Sequence, residues 1–125
     1  MEKLFVYGTL RKGQKRHKLI EKFRFLGFVR VCGFDMYDFG AYPGVVAGKG
    51  IIYGEVYEVS NAFIDWLDYI EGLRLGLFRR TFCEVELEQG DRINAHVYVY
   101  SFPINNAKLI KDGDWIKYLN QKEVL

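Results

Sequence analysis

No stretch of this sequence is long and apolar enough to span a bilayer, and Met1-Glu2-Lys3 leads straight into Leu4-Phe5-Val6-Tyr7 without the apolar region of a secretion signal. A cytoplasmic protein without membrane association is the expectation. Charge of one sign is also scarce. The 18 Lys and Arg face 16 Asp and Glu, a formal net charge of +2, which makes neither nucleic acid nor an anionic membrane an obvious partner. Cysteine is rarer still: Cys32 and Cys83 stand far apart in the apolar runs "RVCGF" and "TFCEV", with no second Cys or His at metal-ligand spacing. They read as two buried, reduced thiols rather than a disulfide, a redox pair or part of a metal site. His17 and His96 are equally isolated and read as surface or strand residues rather than ligands. Linkers, repeats and low-complexity segments are missing. In 125 residues, half of them apolar, there is material for one core and therefore one domain.

What the chain does have is strand-forming sequence. Lys3 to Tyr7, Phe25 to Val31, Phe34 to Phe39, Ile51 to Val59, Thr81 to Leu87 and Ile93 to Ser101 are rich in Val, Ile, Tyr and Phe. Gly90-Asp91-Arg92, with Gln89 before it, lies between two alternating runs and reads as a hairpin connection, so the strands on either side are expected to pair antiparallel. Helical signals are fewer: Lys15 to Phe23, Asn61 to Ile70 and Asp114 to Gln121. The class is α+β. Many short strands with apolar residues on both faces favour a curled sheet or small barrel with helices packed outside.

The middle helix, "SNAFIDWLDYIEG", carries the candidate chemistry. Ser60 suits its N-cap, and Phe63, Trp66, Leu67 and Ile70 form one apolar stripe at i, i+3, i+4, i+7. At about 100° per residue, Asp65 and Asp68 point away from the stripe as surface acids, whereas Glu71 falls at its border. Glu71 also occupies the last turn, just before Gly72, where the helix dipole disfavours an anion. A carboxyl near apolar neighbours at the negative helix end should have a raised pKa, which suits general acid–base work near neutrality. A glutamate paired with Arg74, Arg79 or Arg80 satisfies the same sequence.

The segment "LFVYGTLRKG" opens a second question, because a strand ends at Tyr7 and gives way to a glycine, a small hydroxyl and two cations. A turn permitted by Gly8, with Thr9 and Leu10 following, can expose backbone N–H groups as an anion-binding concavity. It lacks the glycine spacing and terminal Lys-Ser/Thr of a nucleotide loop. An ordinary tight turn would look the same. Arg11 and Lys12 read as solvated cations that add only exposed attraction.

"FVYGTLRKG", "YPGVV" (Tyr42 to Val46), "GEVYEV" (Gly54 to Val59), "LDYIEG" (Leu67 to Gly72), "RRTFCEV" (Arg79 to Val85) and "HVYVYS" (His96 to Ser101) occur in this order. Together they resemble the gamma-glutamylcyclotransferase-like family, which includes gamma-glutamylamine cyclotransferases and AIG2-like proteins. The likeness runs from Leu4 to about Tyr118. It implies a small mixed β-barrel with flanking helices, a cavity floored by the loop after the first strand, and Glu71 as the catalytic acid/base. It implies substrate contacts at Tyr7, Gly8, Thr9, Leu10, Tyr42, Phe78 and Tyr100; Phe78 stands near where relatives commonly have a tyrosine. Tyr7, Tyr42, Tyr98 and Tyr100 could each equally be core tyrosines with a hydroxyl near the surface.

The implied reaction is an internal aminolysis that releases 5-oxoproline and an amine or amino acid. That chemistry needs no Ser-His-Asp set, no activated Cys, and no metal or organic cofactor, because nucleophile and electrophile arrive in one molecule. The implied partner is a small gamma-glutamyl compound, and the implied state a monomer or homodimer. Two other classes compete: a binding protein that keeps the cavity without turnover, and a nucleic-acid binder using Arg11, Lys12, Lys15, Arg16, His17 and Lys18, a charged face without a recognition motif.

Overall fold

Leu4, Phe5 and Val6 are almost wholly buried because the strand that carries them, β1 (Glu2–Val6), runs through the middle of the sheet. The computed structural model describes residues 1–73 and 76–123, with the backbone alone at 71–73 and 123. Five further strands follow: β2 (Arg24–Asp38), β3 (Pro43–Val59), β4 (Phe78–Glu86), β5 (Arg92–Tyr100) and the short β6 (Lys108–Leu109). They form one mixed sheet in the order β4-β5-β1-β3-β2-β6. β1 pairs antiparallel with β3 and parallel with β5. The sheet curls into a half-barrel that brings β4 back into contact with β2, and two helices complete an α+β fold.

Alternation along β1 explains why a strand apolar on both faces is stable here. Phe5 and Tyr7 point into the curl, with Val31, Met36, Ile52, Val97 and Trp115 among the residues around them. Leu4 and Val6 point outward, where Phe63, Ile64 and Leu67 of helix α1 (Asn61–Leu73) cover them together with Tyr57 and Ile20. Each face thus has its own core, and β1 belongs to both.

The hairpin read at Gly90–Arg92 is present, with Glu86 opposite Arg92 and Gly90 at φ +94°. The two strands expected at Phe25 to Val31 and Phe34 to Phe39 are one bent 15-residue strand, β2, with register shifts at Phe25/Gly27 and Cys32/Phe34. Such bulges bend a strand without ending it. Its partner β3 begins at Pro43, eight residues before the expected Ile51. Glycines masked that segment in the sequence, yet Gly48 and Gly50 are where the Asp35 carboxylate packs: a Cβ there would come within 2.1 and 2.4 Å of its oxygen atoms. Cys32 is exposed and Cys83 buried, both free. In "RVCGF" the pleat alternates through an apolar run, turning Val31 in and Cys32 out.

The helix expected over Lys15 to Phe23 is only a 3-10 turn at His17–Leu19. Helix α1 starts where expected, with the Phe63 N–H donating to Ser60 Oγ at 3.1 Å. Its buried stripe is Phe63, Ile64 and Leu67, one position round from the expected stripe, and Trp66 is 42% exposed. Helix α2 (Trp115–Glu123) is capped by Asp114, whose carboxylate accepts the Lys117 N–H at 3.2 Å. No helix among the described residues is long and apolar enough to cross a membrane.

Candidate functional site

Where β1 ends, the chain leaves the sheet and lines a cavity of about 440 Å³. Tyr7, Gly8, Thr9 and Leu10 make one side, Tyr42, Pro43 and Phe78 another, and Lys15 and Arg16 bring cationic groups to it. Six of the seven residues expected at a substrate site therefore share one concavity. Tyr100 does not line it; its ring stacks on Phe39 at 4.1 Å and meets Phe78 edge-on at 5.7 Å, so it backs the aromatic wall. The Glu71 side chain lies outside the described residues, as does Arg74; the Glu71 backbone belongs to the end of α1. Among the described residues, no three His, Cys, Asp or Glu side chains stand together as metal ligands would.

The loop is closed by bonds donated from downstream of its tip: Arg11 N–H to the Gly8 carbonyl at 3.0 Å and Arg16 N–H to the Thr9 carbonyl at 2.9 Å. Arg16 Nε also donates to Thr9 Oγ1 at 2.9 Å. Gly8 is not in the left-handed region. Its hydrogen side chain is required instead by close approach, since a Cβ would lie 2.7 Å from Pro43 Cγ and 2.9 Å from Cδ. The turn expected at Gly8 is present, closed by the Arg11 N–H on the Gly8 carbonyl, and close approach to Pro43 rather than backbone conformation is what demands glycine there. The glycine lets the loop lie flat against β3, so one substitution affects both cavity walls.

Arg11 is a correction. It is 6% exposed and not a solvated cation. Its Nε donates to Glu55 Oε2 at 3.1 Å and its Nη1 to Asp114 Oδ1 at 3.0 Å. Glu55 is fully buried, and its other oxygen accepts the Lys12 N–H at 3.1 Å and the Tyr57 hydroxyl at 2.8 Å. Burial, with the bond to this carboxylate, pushes the Tyr57 phenol well above its ordinary value. The loop, β3 and the start of α2 are thereby held by one ionic knot. Sequence reading missed Glu55; the signal was an acid flanked by apolar residues in "GEVYEV", where burial demands a partner. His17 Nδ1, 2.9 Å from the Leu10 carbonyl, is likewise committed to the loop.

A third group adjoins the cavity through Tyr98, which lines it. The Tyr7 hydroxyl donates to the Tyr98 carbonyl at 2.7 Å, and the Tyr98 hydroxyl to Asp68 Oδ1 at 2.6 Å. Arg80 grips both oxygens of Asp68, through Nε at 2.9 Å and Nη2 at 2.9 Å. Asp68 is therefore not the plain surface acid its helical position suggested. Burial raises its pKa, but the bonds from Arg80 and Tyr98 outweigh this and hold it below the usual carboxylate value. Arg80 Nη1 also reaches His96 Nδ1 at 2.8 Å. A guanidinium can only donate, so the histidine proton resides on Nε2, which faces Glu2 Oε2 at 3.4 Å without completing a hydrogen bond.

The same fold occurs in known proteins. The family model described as gamma-glutamyl cyclotransferase, AIG2-like, matches residues 4–117. The gamma-glutamylcyclotransferase family protein YtfP of Escherichia coli strain K12 is 36% identical over 114 residues, 91% of this chain and 96% of that protein. The gamma-L-glutamyl-butirosin B gamma-glutamyl cyclotransferase of Niallia circulans is 35% identical over 124 residues, 94% of this chain and 78% of that one. Among solved structures, an uncharacterized protein from Pyrococcus horikoshii matches with a TM-score of 0.79 at 31% identity, covering 99% of this chain and 98% of that one. An AIG2-like protein from Mus musculus matches with a TM-score of 0.80 at 28% identity, covering 92% and 88%. The match begins at the first cavity-lining strand and ends inside the helix that anchors the cavity loop, so the sequence likeness and the site coincide: the chain belongs to the gamma-glutamylcyclotransferase, AIG2-like family.

Proposed function

We propose that the protein is a cofactor-independent cyclotransferase that releases 5-oxoproline from a small gamma-glutamyl amide or peptide, with Glu71 as general acid/base. The observation that carries this reading is the cavity at the end of β1, where the family's Tyr-Gly-Thr loop and an aromatic wall enclose a space of about 440 Å³. That is room for a small amino-acid derivative. The substrate's α-amine attacks its own γ-carbonyl carbon, a C–N bond forms in a five-membered ring, and the C–N bond to the departing amine breaks. Overall, two protons leave the attacking nitrogen and two reach the departing one. A carboxylate that accepts from one nitrogen and then donates to the other serves both stages. Folding the substrate so that its two ends meet supplies most of the remaining acceleration, as in other intramolecular reactions. The Gly8, Thr9 and Leu10 N–H groups precede the donors that close the loop, a placement that supports their use toward substrate oxygen atoms.

The test is to incubate the protein with a panel of gamma-glutamyl amides and amino acids and follow 5-oxoproline by chromatography. Release of 5-oxoproline is expected, with Glu71→Gln slower by roughly 100-fold or more. Binding without release from any member would refute turnover, and a wild-type rate in Glu71→Gln would remove Glu71 from the mechanism.

A further inference from the structure

From depth to mouth the cavity changes in both burial and charge. Tyr7, Thr9 and Leu10 are each 7% exposed, so the wall they form is nearly closed to water, whereas Lys15 lines the cavity as an exposed residue. Among the described lining residues Lys15 and Arg16 are the cations, and none is an acid. Arg16 is engaged in building the loop, since its Nε donates to Thr9 Oγ1 at 2.9 Å and its backbone N–H to the Thr9 carbonyl at 2.9 Å. Arg11 is spent on Glu55 and Asp114. The Lys15 ammonium has no ion pair or hydrogen bond among the described residues, which leaves a cation at the rim for whatever enters.

We propose that Lys15 is a specificity-determining residue that reads a carboxylate on the departing half of the substrate, so that the site takes gamma-glutamyl amino acids or peptides in preference to gamma-glutamyl derivatives of simple amines. This rests on the cyclotransferase reading and adds the substrate class to it. Every gamma-glutamyl compound brings an α-ammonium and an α-carboxylate group, whose charges cancel. The departing half is where such compounds differ: a simple alkylamine adds no charge once acylated, and an amino acid or peptide adds a carboxylate. For the ring to close, the glutamyl half must bend back on itself, which suits the buried wall. The departing half must leave, which puts it toward the mouth and Lys15. An electropositive rim attracts the compound that carries the extra negative charge. The flexible four-carbon stem lets the ammonium follow departing halves of different size, so Lys15 selects the charge rather than the side chain that accompanies it. Exposed pairs of this kind are weak and screened by salt, so the preference is a few-fold.

The experiment compares gamma-glutamyl-L-alanine with gamma-glutamylethylamide, which differ only by the carboxylate on the departing half, in wild type, Lys15→Met, Lys15→Arg and Lys15→Glu. Wild type should favour the alanine compound in kcat/KM by about three- to fivefold at low salt, and the ratio should shrink as salt is raised. Lys15→Arg should keep the preference, Lys15→Met should bring the ratio close to one, and Lys15→Glu should reverse it. Melting temperatures should stay near that of the wild type because the residue is exposed. A wild-type ratio near one would overturn the proposal. So would a wild-type ratio in Lys15→Met, since equal losses on both compounds would place Lys15 at the α-carboxylate they share. Absence of 5-oxoproline from the whole gamma-glutamyl panel would refute the cyclotransferase reading instead. Calorimetric affinities for the same two compounds would then decide the subsite, and equal affinities or no binding would overturn it.

Discussion

Replacing Arg11 by alanine would leave the Glu55 carboxylate fully buried with the Lys12 N–H and the Tyr57 hydroxyl but no cation. Uncompensated burial of that kind costs about 3–5 kcal/mol, so urea denaturation of Arg11→Ala should show a loss of that size. Removing both charges, in Arg11→Met with Glu55→Gln, should recover part of it. The same variant should weaken substrate binding indirectly, by loosening the loop that carries Gly8 to Leu10. The thiols give a contrast at the same scale. Burial pushes the Cys83 thiol up to about 12, whereas Cys32 is exposed. A thiol reagent near neutral pH should therefore label one cysteine in the native protein and two after unfolding, and Cys32→Ser should abolish the native signal.

Among the elements, glycines fix how closely strands and loops approach, and two positions separate collision from conformation. Gly113 sits before α2 at φ +66°, and a Cβ there would lie 1.9 Å from the Ile51 carbonyl oxygen. Gly13 has φ +81° with nothing within 4 Å. Thermal unfolding should show Gly13→Ala costing about 1 kcal/mol and Gly113→Ala about 3 kcal/mol or more. At the cavity, Gly8→Val drives its side chain into the Pro43 ring and should lower affinity for a gamma-glutamyl amide by at least about tenfold by calorimetry. The elements that could be read from the chain were those whose signal is local. β1 shows as "KLFVY", the β4–β5 hairpin shows through Gly90, and the start of α1 shows through Ser60. What could not be read depends on tertiary partners. The Lys15 to Phe23 segment has helical spacing, yet it is tied to the loop, through the Arg16 N–H on the Thr9 carbonyl and the His17 ring on the Leu10 carbonyl, and its remaining backbone closes only short turns such as Leu19 N–H to the Arg16 carbonyl. The first half of β3 is rich in glycine because Asp35 and Phe39 pack against it, which a propensity count scores as loop. Arg11 and Asp68 looked solvated because their partners lie 44 and 12 residues further along the chain. The family resemblance brought Tyr7, Gly8, Thr9, Leu10, Tyr42 and Phe78 together, and periodicity alone would not have done so.

Across the whole molecule, acid should loosen both helices for one reason. Asp68 ties α1 to β4 and β5, while Asp38 on β2 receives the Tyr118 hydroxyl and the Lys122 ammonium of α2. Burial raises the pKa of Asp38, but the Tyr118 hydroxyl, the Gly40 N–H and Lys122 more than offset it and leave it lowered, as at Asp68. A carboxylate whose pKa is depressed by folding stabilises the native state above its unfolded value, 3.8, and that stability is lost as pH falls through the lower folded value. Melting temperature should thus drop below about pH 4, and the double variant Asp38→Asn, Asp68→Asn should be less stable at neutral pH but flatter in acid. The link from Arg11 to Asp114, 103 residues apart, also has a bearing on synthesis. A ribosome makes the chain from its N-terminal end, so the loop emerges early, while the second carboxylate that holds it has yet to be made. A chain stalled anywhere before Asp114 carries Tyr7 to Leu10 without their full support. The loop that lines the cavity is therefore fully tied down only once the start of the C-terminal helix has been made.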